Sequence, residues 1–230
     1  PARRADRPDY PLVIAGGPLV MLNPAPMSPF VDVFFIGEAE AGFAELANLV
    51  AEMAERGAPK SEVLSALADK PGILAPGFSP LPVRRVLVTP DTPGVLTGPA
   101  YSSFVSPHAE FPDMLLLEIN RGCPYGCRFC AAGYVYRPAR RSELDELKAI
   151  VETAAPRKVG LVGPALSDWP DLRPFLESLH AKGVKFSLSS VRADGLSEDL
   201  LAFLRKTGAR TLTLALEGGC ERRRQAMNKN

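Results

Sequence analysis

"MLLLEINRGCPYGCRFC" (114–130) joins an apolar run to three of the four cysteines in the chain. MLLLEIN (114–120) reads as a buried parallel strand, because strands covered on both faces are near-continuous in apolar residues. It delivers RGCPYGCRFC (121–130) at its C-terminal end. Cys123, Cys127 and Cys130 follow the spacing C-x3-C-x2-C, so their sulfurs converge on one centre only if the backbone curls tightly between them. The intervening residues suit that curl. Gly122 and Gly126 tolerate positive φ and let the backbone come close to a bound group. Pro124 fixes its own φ and biases Cys123 away from helix. Backbone amides in such a loop point inward and donate to an anionic group. A disulfide framework fits poorly, since three cysteines leave one unpaired and nothing in the chain reads as an export signal. A metal centre fits better.

Working toward the C-terminus, a βα rhythm begins at Asp113. Ser142 is placed to cap a helix carrying Leu144, Leu147, Ile150 and Val151, which stops near Pro156. KVGLVG (158–163) reads as a second strand. Trp169, Leu172, Phe175, Leu176 and Leu179 mark a helix with Asp168 as its cap and Gly183 after its end. VKFSLSS (184–190) reads as a third strand, and Ser197 opens a helix through Leu200, Leu201 and Leu204 to Gly208. TLTLALE (211–217) reads as a fourth strand, and CERRRQAMNKN starts a further helix. Four βα units in series imply a parallel sheet bent toward a TIM-like barrel. A barrel left at four units has an unpaired edge, so self-association through that edge, or further sequence, is expected.

Working toward the N-terminus, prolines recur from Pro71 to Pro112 around VRRVLVT, the composition of an extended connector. Before it, PLVIAGG (11–17) and VDVFFIGE (31–38) read as buried strands. A helix is expected over Glu40–Arg56, stopped by Gly57. Strand, helix and strand suggest part of a doubly wound, Rossmann-like α/β domain. The expected organisation is therefore residues 1–70, a connector over 71–112, and the partial barrel over 113–230. The chain does not begin with methionine and reads as a fragment.

Composition excludes several classes. At 46% hydrophobic and 23% charged residues the chain is ordinary for a globular protein. Its net charge of +1 gives no global attraction to nucleic acid or anionic membrane. No apolar run approaches the roughly 20 residues of a membrane helix. Clustered cysteines without a signal peptide suggest a reducing cytoplasm. The arginines at 137, 140 and 141, and at 222–224, are expected to form solvated faces.

CPYGCRFC, with aromatic Phe129 before the third cysteine, resembles the cluster motif of radical S-adenosylmethionine (SAM) enzymes. That resemblance implies that Cys123, Cys127 and Cys130 hold a 4Fe–4S cluster, with SAM on the fourth iron and Phe129 against the adenine. It also implies an electron donor such as a flavodoxin or ferredoxin, and a substrate that the residues do not name. Polar strand ends complete the expected SAM site. Gly163 stands where relatives use a glycine-rich segment, although their G-G-E is absent. Ser189, Ser190 and Arg192 end the third strand, and Glu217 of LEGGC resembles the E-x-G-S segment. VIAGGP, NPAP and FFIGEAE resemble the C-terminal part of a cobalamin-binding-like domain, which would set Gly16 and Gly17 beside the cofactor's nucleotide tail. The cobalt-ligand motif D-x-H-x-x-G is absent, so cobalamin is expected only in a longer protein. A second reading remains open, in which Cys220 or a histidine completes four ligands of a zinc-stabilised, non-catalytic binding module.

Overall fold

The computed structural model describes residues 11–89, 91, 94–209 and 211–229. The first ten residues of the expected N-terminal region therefore lie outside the described residues. The chain divides into two compact units, Pro1–Thr89 and Pro90–Asn230. The prolines of 71–112 do not make a separate connector. Residues up to Thr89 belong to the first unit, where Val86 bridges Gly37, and those from Pro90 belong to the second.

The first unit contains β1 (Ile14–Ala15), α1 (Pro18–Leu22), β2 (Val33–Phe35), α2 (Phe43–Glu55), α3 (Lys60–Leu67) and β3 (Ile73–Leu74). Its sheet has the order β1-β2-β3, parallel across β1/β2 and antiparallel across β2/β3. Period-two alternation divides β2 between two apolar clusters. Val33 and Phe35 pack with Leu46, Met53, Leu64 and Leu67 from the two long helices, whereas Phe34 packs with Val20 and Val31. Burial on both faces explains the unbroken apolar run. The helix expected from Glu40 begins at Phe43, because Ala39–Ala41 form a 3-10 turn and Gly42 takes φ 125°.

The second unit contains β4 (Val95–Leu96), β5 (Leu115–Glu118), β6 (Asn120–Arg121), α4 (Ala132–Val135), β7 (Arg140–Ser142), α5 (Leu144–Ala154), β8 (Lys158–Val162), α6 (Leu172–Ala181), β9 (Lys185–Leu188), α7 (Glu198–Lys206) and α8 (Glu221–Ala226). β5, β8 and β9 form one parallel sheet in that order. Leu117, Ile119, Val159 and Leu161 pack with Leu147 and Val151 of α5, Phe175, Leu176 and Leu179 of α6, and Leu200 and Leu204 of α7. Each such side chain contributes about 1.5–3 kcal/mol when fully buried. Parallel strands put their C-terminal ends on one edge, which is where this architecture gathers functional groups.

Four local expectations change. Residues 211–217 are not a strand: among the described residues their one bridge is the isolated parallel pair Val191–Leu214, beyond the end of β9, and Leu214 and Leu216 stay 43% and 58% exposed. Only Leu212 of the alternating run packs against the core, half-buried, and one such contact does not supply the packing that holds a ladder. A complete four-unit barrel is thus not formed among the described residues. Ser142 is not a helix cap but the last residue of β7, with its hydroxyl donating to Glu118 O at 3.0 Å. Asp168 lies in a 3-10 turn (Leu166–Asp168), and Asp171 precedes α6 instead. Arg140 is only 1% exposed, so the basic run around it is not a solvated face.

Candidate metal and cofactor site

The cysteine loop is an excursion from a short stalk. β6 leads into it and β7 leads out, paired antiparallel through Asn120–Arg141 and Arg121–Arg140. Between them the backbone folds onto itself so closely that two glycines are obligatory. Gly122 has φ 80°, and a Cβ there would sit 2.3 Å from Tyr136 O. A Cβ on Gly133 would sit 2.3 Å from Tyr125 O. Arg137 spans the curl, donating from Nη2 to Tyr125 O at 3.2 Å.

Cys123, Cys127 and Cys130 line one cavity of about 200 Å³, together with Tyr125 and Phe129. Residues after β8 (Pro164–Leu166) and β9 (Ser190–Arg192) complete its wall, with Ala215, Glu217 and Lys229. Burial pushes the Cys123 thiol up; a backbone hydrogen bond from Tyr125 opposes it, while Cys127, Cys130 and Asp168 add to the rise. A metal that binds thiolate removes that cost by compensating the buried charge. Among the described residues, no group of three or more His, Cys, Asp or Glu side chains is gathered tightly enough for a single ion. Three soft sulfurs around a cavity instead leave room for a larger thiolate-ligated group. Cys220 does not line this cavity; it is exposed and precedes α8. His108 lies in an exposed loop, and His180 on α6 meets Phe203 edge-on at 6.0 Å. Neither histidine lines the cavity.

The other expected cofactor residues separate into three groups. Phe129, Ser190, Arg192 and Glu217 line the cavity. Arg192 is already engaged, forked onto Asp194 (Nε–Oδ1 3.0 Å) with its Cζ 3.8 Å above the Tyr125 ring. That guanidinium holds the Asp194 carboxyl below its ordinary range. Glu217 takes φ 61°, a left-handed conformation that is strained for a residue with a Cβ, and accepts from Lys229 Nζ at 3.1 Å. Ser189 and Gly163 are not among the lining residues. Gly163 is needed for a different reason: a Cβ would sit 2.1 Å from Asn120 Oδ1. Gly16 and Gly17 belong to the first unit, outside this site. Gly17 needs positive φ (89°) at the start of α1 and a Cβ there would meet nothing within 4 Å, whereas a Cβ on Gly16 would make ordinary contact with Phe35 O at 3.6 Å.

Sequence reasoning missed Asn120, which is 4% exposed and ties β6 to the loop after β8. Its Nδ2 donates to Ala165 O at 2.6 Å and its Oδ1 accepts from Ala165 N at 3.4 Å. The peptide polar groups of Ala165 are thereby committed to the protein. Tyr125 was also missed: burial, then a hydrogen bond with Asp168, pushes its phenol up. A polar residue closing an apolar strand opposite a glycine was the available signal for Asn120.

The chain is similar to known proteins over both of its parts. Residues 1–76 match the family described as Radical SAM proteins, N-terminal, and residues 117–230 match the Radical SAM superfamily. An uncharacterized protein of Methanocaldococcus jannaschii is 33% identical over 225 residues, covering 95% of this chain and 46% of that protein. The 2-(S-pantetheinyl)-carbapenam-3-carboxylate methyltransferase of Streptantibioticus cattleyicolor is 35% identical over 136 residues, 56% of this chain and 19% of its own. The cobalamin-dependent radical SAM methyltransferase TokK of Streptomyces tokunonensis is 33% identical over 145 residues, 60% of this chain and 20% of its own. The chain thus spans less than half the length of each of these relatives. Three cysteines around one cavity at the strand ends, and family matches over both parts of the sequence, place the chain in the radical SAM superfamily.

Proposed function

We propose that this chain is the core of a radical SAM enzyme. Cys123, Cys127 and Cys130 hold a 4Fe–4S cluster, and the cavity they line receives SAM. The observation that carries the proposal is the convergence of these three thiols, without Cys220, on the cavity that also takes the ends of β8 and β9. The chemistry supplied by these groups when bound is reductive cleavage of SAM to a 5′-deoxyadenosyl radical, which abstracts hydrogen from substrate. The protein's part is placement. The β6/β7 stalk fixes the two ends of the cysteine loop, and Asn120 fixes the loop after β8. Phe129, 51% exposed, offers an aromatic face to the adenine. Arg192 and Glu217 offer charged hydrogen-bonding groups, a cation for the SAM carboxylate and an acceptor for donors on the nucleoside or amino group.

For the whole protein we extend the proposal to methyl transfer, supported by the names of the Streptantibioticus cattleyicolor and Streptomyces tokunonensis relatives. The polar strand ends and the parallel ladder suit the first units of a partial TIM-like barrel. Reduction would come from a small electron carrier such as a flavodoxin or ferredoxin, and a reducing cytoplasm would suit free thiols. No helix among the described residues is long and apolar enough to cross a membrane. Cobalamin fits this chain incompletely: Gly16 and Gly17 form an open turn, but the first unit contains no histidine for cobalt.

Anaerobic reconstitution with iron and sulfide tests the core reading. The expected product is brown, with about four irons per chain. A colourless product holding one zinc per chain would establish the zinc module instead.

A further inference from the structure

The cysteine loop makes a set of contacts that metal ligation does not require, all with the turn after α8. The Arg128 amide donates to Met227 O at 3.0 Å, and the Arg128 guanidinium donates to Ala226 O. Asn228 Nδ2 donates to Gly126 O at 2.9 Å. Lys229 sits 5.8 Å from the Phe129 ring centroid, while its Nζ donates to Ala215 O at 2.5 Å and to Glu217 Oε1. These partners are about a hundred residues apart in sequence, so closing the loop between them carries an entropic cost that local propensity does not offset.

Two backbone features make the contact specific. Asn228 has φ 55°, a conformation that asparagine adopts more readily than other residues with a Cβ. Gly126 does not need positive φ, unlike Gly122; its lack of a side chain serves proximity instead. A Cβ on Gly126 would stand 3.2 Å from Asn228 Nδ2, tighter than ordinary contact. The middle of the cysteine motif is therefore shaped to admit this amide.

We propose that residues 226–229 form a clamp that orders the Cys123–Cys130 loop before metal arrives, with Asn228 as its positioning residue. Asn228 acts through the Gly126 carbonyl and touches no metal. Lys229 couples the same clamp to Phe129 and Glu217, so the cysteine side and the Glu217 side of the cavity are set by one segment. The proposal rests on reading this loop as the cluster-binding loop.

Its test uses the whole chain, first without metal. Asn228→Gly keeps positive φ accessible but removes the side-chain donor, so it separates the hydrogen bond from backbone strain. Amide hydrogen exchange over 124–131 should quicken about two- to tenfold, the size of one lost hydrogen bond. Exchange in β8 should not change. Gly126→Ala should quicken the same stretch in the parent chain and add little to Asn228→Gly, because the crowding partner is then gone. After reconstitution, iron should leave Asn228→Gly to a chelator several-fold faster than it leaves the parent. Unchanged exchange over 124–131, an equal rise in β8, or strictly additive effects of the two substitutions would overturn the clamp. A parent chain that takes up no iron overturns the cluster reading instead, and the metal-free exchange experiment decides the clamp independently.

Discussion

Two glycine-bearing turns follow short strands in this protein, and they are built for different ends. Gly16–Gly17 follows β1, and a Cβ on Gly17 would meet nothing within 4 Å. Gly122 begins the excursion after β6, and a Cβ there would collide with Tyr136 O, Pro138 O and Ala139. Both Gly17 and Gly122 require positive φ. Only the second turn is also compressed against its own chain, and only it lies beside a cavity lined by three thiols, an aromatic ring and charged strand ends. A glycine after a strand therefore says that the backbone turns. Crowding around that glycine says that something is being held in place.

The largest effect that sharpens this contrast comes from the thiols themselves. Cys123→Ala, Cys127→Ala or Cys130→Ala should each abolish iron retention after reconstitution, whereas Cys220→Ala should leave the iron content unchanged. Metal analysis of the four proteins checks this. Loss of metal from Cys220→Ala alone would break the three-ligand assignment.

Next in size is the glycine pair. Gly122→Ala combines a left-handed conformation with a backbone collision, together worth about 2–5 kcal/mol. Gly17→Ala carries only the conformational part, about 1–2 kcal/mol. Denaturant unfolding of both variants should show the larger loss for Gly122→Ala. Equal losses would mean that the crowding around Gly122 is relieved at no cost.

How much of this was legible beforehand follows from the kind of stabilisation involved. β5 and β8 could be read because well-covered strands are near-continuous apolar runs, as in MLLLEIN and KVGLVG, whereas β9 could be read from period-two alternation, with Phe186 and Leu188 half-buried between exposed Lys185 and Ser187. The same rule overreached at TLTLALE, where Leu214 and Leu216 find no layer to bury them. The β6/β7 stalk was illegible: Asn-Arg and Arg-Arg-Ser have no strand propensity, and their pairing exists because the loop between them must be closed. Arg140 shows the same limit, since its burial is decided by residues distant in sequence. In the site, the gathering of the three cysteines around one cavity was legible from their spacing. Asn120, Tyr125 and Asn228 were not, because each acts through a partner that only the fold brings near. Gly163 was legible as a special position, but its reason is Asn120 rather than a ligand.

A smaller effect is expected at the charged strand ends. Arg192→Ala and Glu217→Ala should each weaken SAM binding roughly 10- to 150-fold, the range for losing a charged hydrogen bond of about 1.5–3 kcal/mol. Calorimetric titration of the reconstituted protein measures it. Affinities equal to the parent would reduce these residues to framework, with Arg192 serving Asp194 and Tyr125 and Glu217 serving Lys229.

The central claim is that the crowded loop presents a cluster with one position left open for SAM. Electron paramagnetic resonance of the reconstituted, reduced chain with and without SAM tests it most directly. The account predicts a reduced-cluster signal whose line shape changes on SAM addition in the parent and in Cys220→Ala. An identical signal with and without SAM, from a chain that has bound its iron, would contradict it.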